Sequence, residues 1–246
     1  MVSVKRLADA ATELPWDKRA RLAPGTVYIA SMEVRGQWAS RPTTATTINV
    51  TSAQGKTSAL RRDFSPMSLP GFPCHGRDDG GCCCFENAWH SLKEFEGVPF
   101  ADSVAWWQKQ TKGKRRYPRG KGKRVLWANA RVQKLGWVAS RKLVYVPEYD
   151  LKMRATPSFA TLRRRVQHGE DVVVMDFDGP RMAEGGVTCA PISVELLREK
   201  IEDERFPFGH GYVVAAGLAG IPLASFVGDG GGDDDSSGGD DDSSSL

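Results

Sequence analysis

Residues 171–179 read DVVVMDFDG and form the clearest strand pattern in the chain. Three consecutive Val residues precede a stretch of alternating acidic and apolar residues, a pattern typical of a strand. Asp176 and Asp178 lie two positions apart, so a strand directs both side chains to the same side. For Asp178, which precedes Gly179 and Pro180, a ligand contact and simple turn chemistry both stay open. Asp176 lies inside the apolar strand, where an unpaired acid is costly, and this favours a functional role.

The segments around this strand alternate loosely between strand and helix patterns. Residues 26–34 and 46–52 are rich in β-branched residues and predict two further strands. Hydrophobic periodicity and capping residues predict helices over 85–97, 102–110, 158–169, 193–203 and 209–221. Turn-forming residues predict a loop over 70–81. No regular βαβ rhythm emerges, so the pattern favours the α+β class over a doubly wound sheet.

The charge of the chain is divided between a basic body and an acidic tail. The 246 residues include 34 Lys and Arg and 30 Asp and Glu, and seven of the acids are the Asp residues of 229–246. The preceding residues therefore carry a net charge of +11. A basic body of this size predicts an anionic partner such as a phosphorylated small molecule or a nucleic acid. The tail has a disordered composition.

The apolar and cysteine patterns argue against membrane insertion and secretion. The N-terminal residues show no apolar stretch of the signal-peptide kind. The longest apolar run, 212–227, contains Gly217, Gly220 and Pro222, which predicts a buried helix rather than a membrane span. Five Cys residues, three of them consecutive at 82–84, make a poor disulfide framework. We therefore expect the cytoplasm or another reducing intracellular compartment, with no membrane partner.

A charged face accompanies the apolar face of the helix predicted over 85–97, FENAWHSLKEFEG. At about 100° per residue, Glu86, His90 and Lys93 gather on one side of that helix. A carboxylate, an imidazole and an amine then line a single edge. Two interpretations stay open: a solvated face with weak pairing between neighbouring turns, or a chemical site.

The segment Glu86 to Lys93, ENAWHSLK, resembles the helix of NADAR-type proteins, the NAD and ADP-ribose associated superfamily. Just upstream, Phe64-Ser65-Pro66-Met67 resembles the Phe-Ser-Asn-Phe element of that family. Later elements match in order. These are the basic segment containing Arg115, Arg116 and Lys123, the strand ending in Asp176 and Asp178, and the turn Gly209-His210-Gly211.

The resemblance implies a single compact α+β domain, a small mixed sheet surrounded by helices. It divides the chain into an N-terminal extension (1–25), a NADAR-like domain (26–227) with a Gly- and Cys-rich loop insertion (70–84), and a disordered acidic tail (228–246). Cys74 and His75 with the cysteines at 82–84 offer zinc ligands, but their spacing matches no zinc module, so no metal is predicted.

The activity that the resemblance implies is hydrolysis of an N-glycosidic bond in an ADP-ribose-like or ribosylated nucleoside substrate, with no cofactor. The predicted catalytic residues are Glu86, Lys93 and Asp176. Glu86 is the carboxylate expected to stabilise an oxocarbenium-like transition state and activate water. The predicted substrate-binding residues are Ser65, Trp89, His90, Trp106, Arg116, Asp178 and His210.

Two alternatives to this enzyme stay open. Between Asp102 and Glu148 there are thirteen Lys and Arg and no acid, and Tyr117, Trp127 and Trp137 are interspersed. Residues 109–142 therefore also fit a non-catalytic nucleic-acid-binding protein. The other alternative is a degenerate family member that keeps the fold without the chemistry, because Pro66 and His210 stand where the family has Asn.

Overall fold

The computed structural model describes residues 23–32, 42, 44–120, 122, 124–128, 132–181 and 188–227. Most of the predicted N-terminal extension and the whole acidic tail lie outside the described residues. The strands are β1 (Val27–Ser31), β2 (Thr46–Asn49), β3 (Lys93–Glu94), β4 (Arg124–Ala128), β5 (Val132–Leu135), β6 (Val172–Asp176) and β7 (Cys189–Pro191). The helices are α1 (Ala59–Phe64), α2 (Phe85–Ser91), α3 (Phe100–Gln108), α4 (Trp137–Ser140), α5 (Val146–Arg154), α6 (Pro157–Gln167), α7 (Val194–Glu202), α8 (His210–Ala219) and α9 (Ala224–Val227).

The main sheet is mixed and has the order β2-β6-β1-β7. Strand β6 runs parallel to both β1 and β2, whereas β7 pairs antiparallel with β1. Val172, Val173 and Val174 are all fully buried, which explains the continuous apolar run of β6, since parallel strands are covered on both faces. Strands β3, β4 and β5 form a second, antiparallel sheet. The α+β prediction is confirmed.

Helix α8 is the central helix of the fold and packs on β1, β6, α5 and α6. Every residue from His210 to Leu218 is buried, as expected for a helix that is apolar on all sides. It ends at Gly220, whose φ of +78° lies in the left-handed region that glycine adopts readily. The amide of Ile221 then donates to the carbonyl of Ala216, completing a helix stop of the Schellman kind.

The helix predicted over 85–97 is shorter than its periodicity suggested. Helix α2 ends at Ser91, and Lys93 and Glu94 pair with β4 as strand β3. Leu92 and Phe95 are still buried, so the same apolar spacing serves a helix followed by a strand. The prediction of a continuous helix was wrong because pairing with β4 is a long-range interaction that helical periodicity does not contain.

The segment 137–154 is helical, and its first third, 137–142, was included in the predicted basic surface. Helices α4 and α5 are joined by a π-helical turn, Arg141–Tyr145. Arg141 is buried, and its guanidinium donates to the carbonyls of Ile201, Asp203 and Phe206. The assignment of this arginine to a solvent-facing basic surface was therefore wrong, because its donors are used inside the protein.

A first prediction concerns the close approach of α8 to the end of β6. A Cβ atom at Gly211 would lie 2.5 Å from Cβ of Asp176, so we expect Gly211→Ala to lower the free energy of unfolding by about 1–3 kcal/mol. Urea denaturation measures this loss. Gly55→Ala is the control, because a Cβ there meets nothing within 4 Å. Equal stability of the two variants would contradict the packing described.

Candidate active site at the carboxyl edge of the parallel strands

The three parallel strands end at the same edge of the main sheet. The register pairs Ser31 with Asp176 and Asn49 with Met175, so the residues after β1, β2 and β6 emerge side by side. The first turn of α8 meets this edge. Carboxyl ends of parallel strands are the usual place for ligands in open sheets, so this edge is where the predicted site residues need to converge.

The carboxylate of Asp176 anchors α8 to β6. Its Oδ2 accepts a hydrogen bond of 2.7 Å from the amide of Gly211, and its Oδ1 accepts one of 2.7 Å from the amide of Phe177. The residue is only 1% exposed. Both oxygens are occupied by the protein, and the negative charge lies at a helix N-terminus, which it stabilises. The structure thus places Asp176 where it positions the edge of the sheet rather than where it faces solvent.

His210 links this anchor to strand β2. Its Nε2 lies 3.0 Å from the carbonyl oxygen of Val50, and its Nδ1 lies 3.3 Å from Oδ2 of Asp176. Both ring nitrogens therefore face acceptor atoms. The turn 209–211, which was predicted to bind substrate, therefore contacts the carboxylate of Asp176.

Asp178 lies beside the same turn. A Cβ atom built at Gly209 would lie 2.8 Å from Cβ of Asp178 and 2.5 Å from Oδ2 of Asp176. The absence of a side chain at Gly209 is therefore what lets the two acids and the start of α8 come together. The strand predicted over 171–179 ends at Asp176, so Asp178 belongs to the turn that follows it.

Glu86, His90 and Lys93 form a chain of hydrogen bonds along one side of α2. Nε2 of His90 lies 2.9 Å from Oε1 of Glu86, and Nζ of Lys93 lies 3.1 Å from Nδ1 of the same ring. An ammonium has only donors, so Nδ1 accepts from Lys93 and the hydrogen of the imidazole is on Nε2. The three groups carry charges of −1, 0 and +1 in this arrangement. The prediction that they share one edge is confirmed, although Lys93 belongs to β3.

The surroundings of Glu86 favour its ionised form. Burial alone would raise the pKa of this carboxyl. The hydrogen bond from His90, together with the neighbouring Lys93 and His210, outweighs burial and holds the pKa below its usual value. The side chain of Glu86 is still 22% exposed, so the carboxylate is ionised and accessible.

The surroundings of His90 favour its neutral form. Burial, and after it the positive charge of Lys93, lower the pKa of His90, although Glu86 acts in the opposite direction. Its ring stacks on Trp107 with centroids 5.0 Å apart. Nζ of Lys93 lies 5.0 Å from the Trp89 ring and 5.4 Å from the Trp137 ring. Because Lys93 is only 7% exposed, it acts on Glu86 through His90 rather than as a surface contact.

The Phe64–Met67 segment packs against the beginning of α2. The amide of Glu86 donates to the carbonyl of Pro66 at 2.9 Å. Ser65 is fully buried, and its hydroxyl accepts from the amide of Met67. The two segments that carried the family resemblance are therefore adjacent in space. Ser65 shapes the turn that holds Glu86 and has no exposed surface for a substrate.

The two tryptophans selected from the sequence lie within aromatic clusters. Trp89 is buried beneath Lys93 and packs edge-on against Tyr145. Trp106 packs edge-on against Trp107 and Tyr117. Both support the ring of His90 and its neighbours through α2 and α3, and the structure places neither directly beside the carboxylate of Glu86.

An arginine next to the one selected from the sequence lies at the strand edge. Arg116 is exposed on the loop before β4. Its neighbour Arg115 donates to Oγ of Ser52, just after β2, at 3.0 Å, and lies 5.7 Å from the ring of Phe177, just after β6. The side chain of Asn87 holds this loop on α2 by accepting from the amide of Lys114 at 2.8 Å. Sequence reasoning missed Asn87, although it lies within the ENAW segment.

Tyr145 is a further site residue that sequence reasoning missed. It lies at the end of the π-helical turn, and its ring packs against Phe85 and Trp89, which flank Glu86 in sequence. Burial, and after it the nearby Glu86, Tyr149, Asp176 and Asp178, raise the pKa of its phenol well above the usual range. Its sequence neighbourhood is basic and ends in Pro147, and no local signal marks a π-helical turn.

The cysteine-rich loop lies behind α2, and the thiols of Cys74, Cys82 and Cys84 are protonated at neutral pH. Burial raises the pKa of Cys74 and Cys84 to about 12 and that of Cys82 to about 11. Within the described part of the chain, no three His, Cys, Asp or Glu residues are arranged to hold a metal ion.

Among the described residues, no helix has the length and apolar character needed to cross a membrane.

Comparisons with protein-family models, with curated proteins and with solved structures give no match for this chain.

A second prediction follows from the Glu86–His90–Lys93 chain. Lys93→Met removes the cation and keeps an apolar stem. We expect the pKa of His90 to rise, because a proton no longer meets a positive neighbour, and the pKa of Glu86 to rise, because its anion loses a stabilising charge. NMR titration of the imidazole and the carboxyl measures both. Lys109→Met, an exposed change at the end of α3, is expected to leave both values unaltered. A fall of either pKa in Lys93→Met would contradict the arrangement.

Proposed function

We propose that this protein is an N-glycosidase-type hydrolase acting on an ADP-ribose-like or ribosylated nucleoside substrate. The observation that supports it best is the state of Glu86, an ionised and accessible carboxylate fixed by a neutral imidazole. N-glycoside cleavage needs such a group beside the anomeric carbon, where positive charge develops in the transition state.

In the proposed reaction Glu86 acts as the base. The C–N bond breaks with its electron pair going to the leaving nitrogen, and the oxygen of water forms a bond to the anomeric carbon. Glu86 accepts the proton of that water, and its second oxygen stabilises the oxocarbenium-like carbon. His90 holds the carboxylate in place through its Nε2 hydrogen, and Lys93 fixes the tautomer of His90. Lys93 and Asp176 are thus positioning residues in this proposal.

The cation of Arg115 supports a phosphorylated substrate. It is held at the strand edge by Ser52 and the Phe177 ring, near the acids that surround the proposed sugar site. An arginine offers several donors to phosphate oxygens in a planar arrangement. A ribose bound near Glu86 with its phosphate toward Arg115 gives each charged group a partner of suitable chemistry. We propose Arg115, rather than Arg116, as the phosphate contact.

A nucleic-acid-binding role remains the second candidate because of the exposed cations in the loop before β4. The exposed residues are Lys109, Lys112, Arg115, Arg116 and Arg119. Arg141 does not belong to this surface, since its guanidinium is internal. Such a surface suits phosphates of a nucleic acid, whether that polymer is a simple ligand or carries the ribosylated base.

A third prediction tests the enzyme directly. We expect Glu86→Gln to lower kcat by about 10²- to 10⁴-fold, because glutamine cannot accept a proton from water. Two assays are followed by chromatography. The first measures release of ADP-ribose from an oligonucleotide that carries it on a nucleobase. The second measures release of the free base from a nucleoside monophosphate. Glu199→Gln, on the exposed side of α7, is the matched control. Full activity of a folded Glu86→Gln variant, or no activity of the wild type on either substrate, would contradict the proposal.

A fourth prediction concerns the exposed cations. We expect the double change of Arg116 and Arg119 to Ala to reduce the slope of log K against log salt for single-stranded oligonucleotide by roughly 0.7 per arginine. Glu86→Gln is expected to leave the slope unchanged. Arg198→Ala, exposed on α7, is the control for the loss of a charge elsewhere. An unaltered slope in the double variant would exclude this loop as the phosphate-binding surface.

A further inference from the structure

The ring of Tyr145 is held rigidly between aromatic neighbours. It packs edge-on against Phe85 with centroids 5.5 Å apart and against Trp89 at 5.2 Å, and it stacks on Tyr149 at 6.1 Å. Phe85 directly precedes Glu86 in α2 and Trp89 lies one turn after Phe85, so these contacts hold the Tyr145 ring against the helix that carries the proposed catalytic carboxylate. Single-turn π-helical segments often occur at functional sites, and Tyr145 ends such a turn.

The hydroxyl of Tyr145 is accessible and has no hydrogen-bond partner among the described residues. Among the described residues, the buried side-chain atoms that lack a hydrogen-bond partner do not include this hydroxyl, so solvent reaches it. The stacked Tyr149 differs, because its hydroxyl donates to the carbonyl of Phe64 at 2.5 Å. A tyrosine with a fixed ring and an unoccupied hydroxyl is suited to contact a ligand.

Burial raises the pKa of this phenol, and Glu86, Tyr149, Asp176 and Asp178 raise it further, so the hydroxyl keeps its proton. Asp176 uses both oxygens within the protein, whereas Glu86 keeps one oxygen beyond its contact with His90. A neutral donor beside an ionised acceptor is complementary to a sugar hydroxyl, which can accept from the phenol and donate to a carboxylate.

We propose that Tyr145 binds the 2-hydroxyl of the substrate ribose and makes the site selective for ribose over 2-deoxyribose. This inference rests on the proposed function, in which Glu86 faces the anomeric carbon. The 2-hydroxyl is attached to the adjacent carbon, and Tyr145 is packed against the residues that flank Glu86. Hydrogen bonds to a 2-hydroxyl strengthen as a glycosidic transition state forms, so this contact also aids the reaction.

Calorimetric titration with ADP-ribose, and with the analogue that lacks the 2-hydroxyl of its terminal ribose, tests the proposal. We expect the wild type to bind ADP-ribose about 3- to 10-fold more tightly than the analogue. Tyr145→Phe is expected to weaken ADP-ribose binding by the same factor and to leave binding of the analogue unchanged. Tyr117→Phe, which removes a hydroxyl from another clustered aromatic residue, is the control and is expected to change neither affinity.

The possible results separate this inference from the function on which it rests. Wild-type binding of ADP-ribose that does not change in Tyr145→Phe would overturn the role of Tyr145 and leave the proposed function standing. Equal weakening for both ligands would also overturn it, since the lost contact would not involve the 2-hydroxyl. Equal wild-type affinity for both ligands overturns the proposed selectivity without using any variant. Absence of ADP-ribose binding by the wild type would contradict the proposed function and, with it, this inference.

Discussion

The buried carboxylate of Asp176 joins the sheet to the central helix, and the rest of the site depends on that junction. Burying an ionised carboxylate is costly unless donors surround it. Here two backbone amides supply those donors, the N-terminus of α8 adds positive potential, and Nδ1 of His210 lies 3.3 Å from Oδ2. His210 in turn contacts the end of β2 through Val50. One acid therefore sets the positions of two strand ends and the helix that covers them.

The site arranges its charges so that one carboxylate is internal and another is available. Both oxygens of Asp176 accept hydrogen bonds from the backbone, whereas only one oxygen of Glu86 contacts His90. The neutral state of His90 matters here, because it transmits the influence of Lys93 to Glu86 without placing a second cation beside it. The carboxylates of Asp176 and Glu86 thus serve different purposes because different donors surround them.

Local sequence patterns predicted those parts of the fold that depend on local interactions. The Val-rich strand, the buried helix ending at Gly220 and the shared edge of Glu86, His90 and Lys93 follow from periodicity and turn chemistry. The break of α2 at Ser91 did not, because β3 exists only through its pairing with β4. Arg141 was misread for a related reason: its carbonyl partners lie about 60 residues away along the chain. The roles of Asp176 and Tyr145 likewise depend on contacts with distant segments.

The four histidines offer the most direct test of the central claim, that Glu86, His90, His210 and the strand edge form one ligand site. NMR of the imidazole resonances during titration with ADP-ribose reports on all four at once. The account predicts saturable shifts of His90 and His210 with a single dissociation constant, while His168, which is exposed at the end of α6, and His75, which contacts Ser91 and Phe100 behind α2, stay unchanged. No shift of His90 and His210 at millimolar ADP-ribose, or equal shifts of all four histidines, would contradict it.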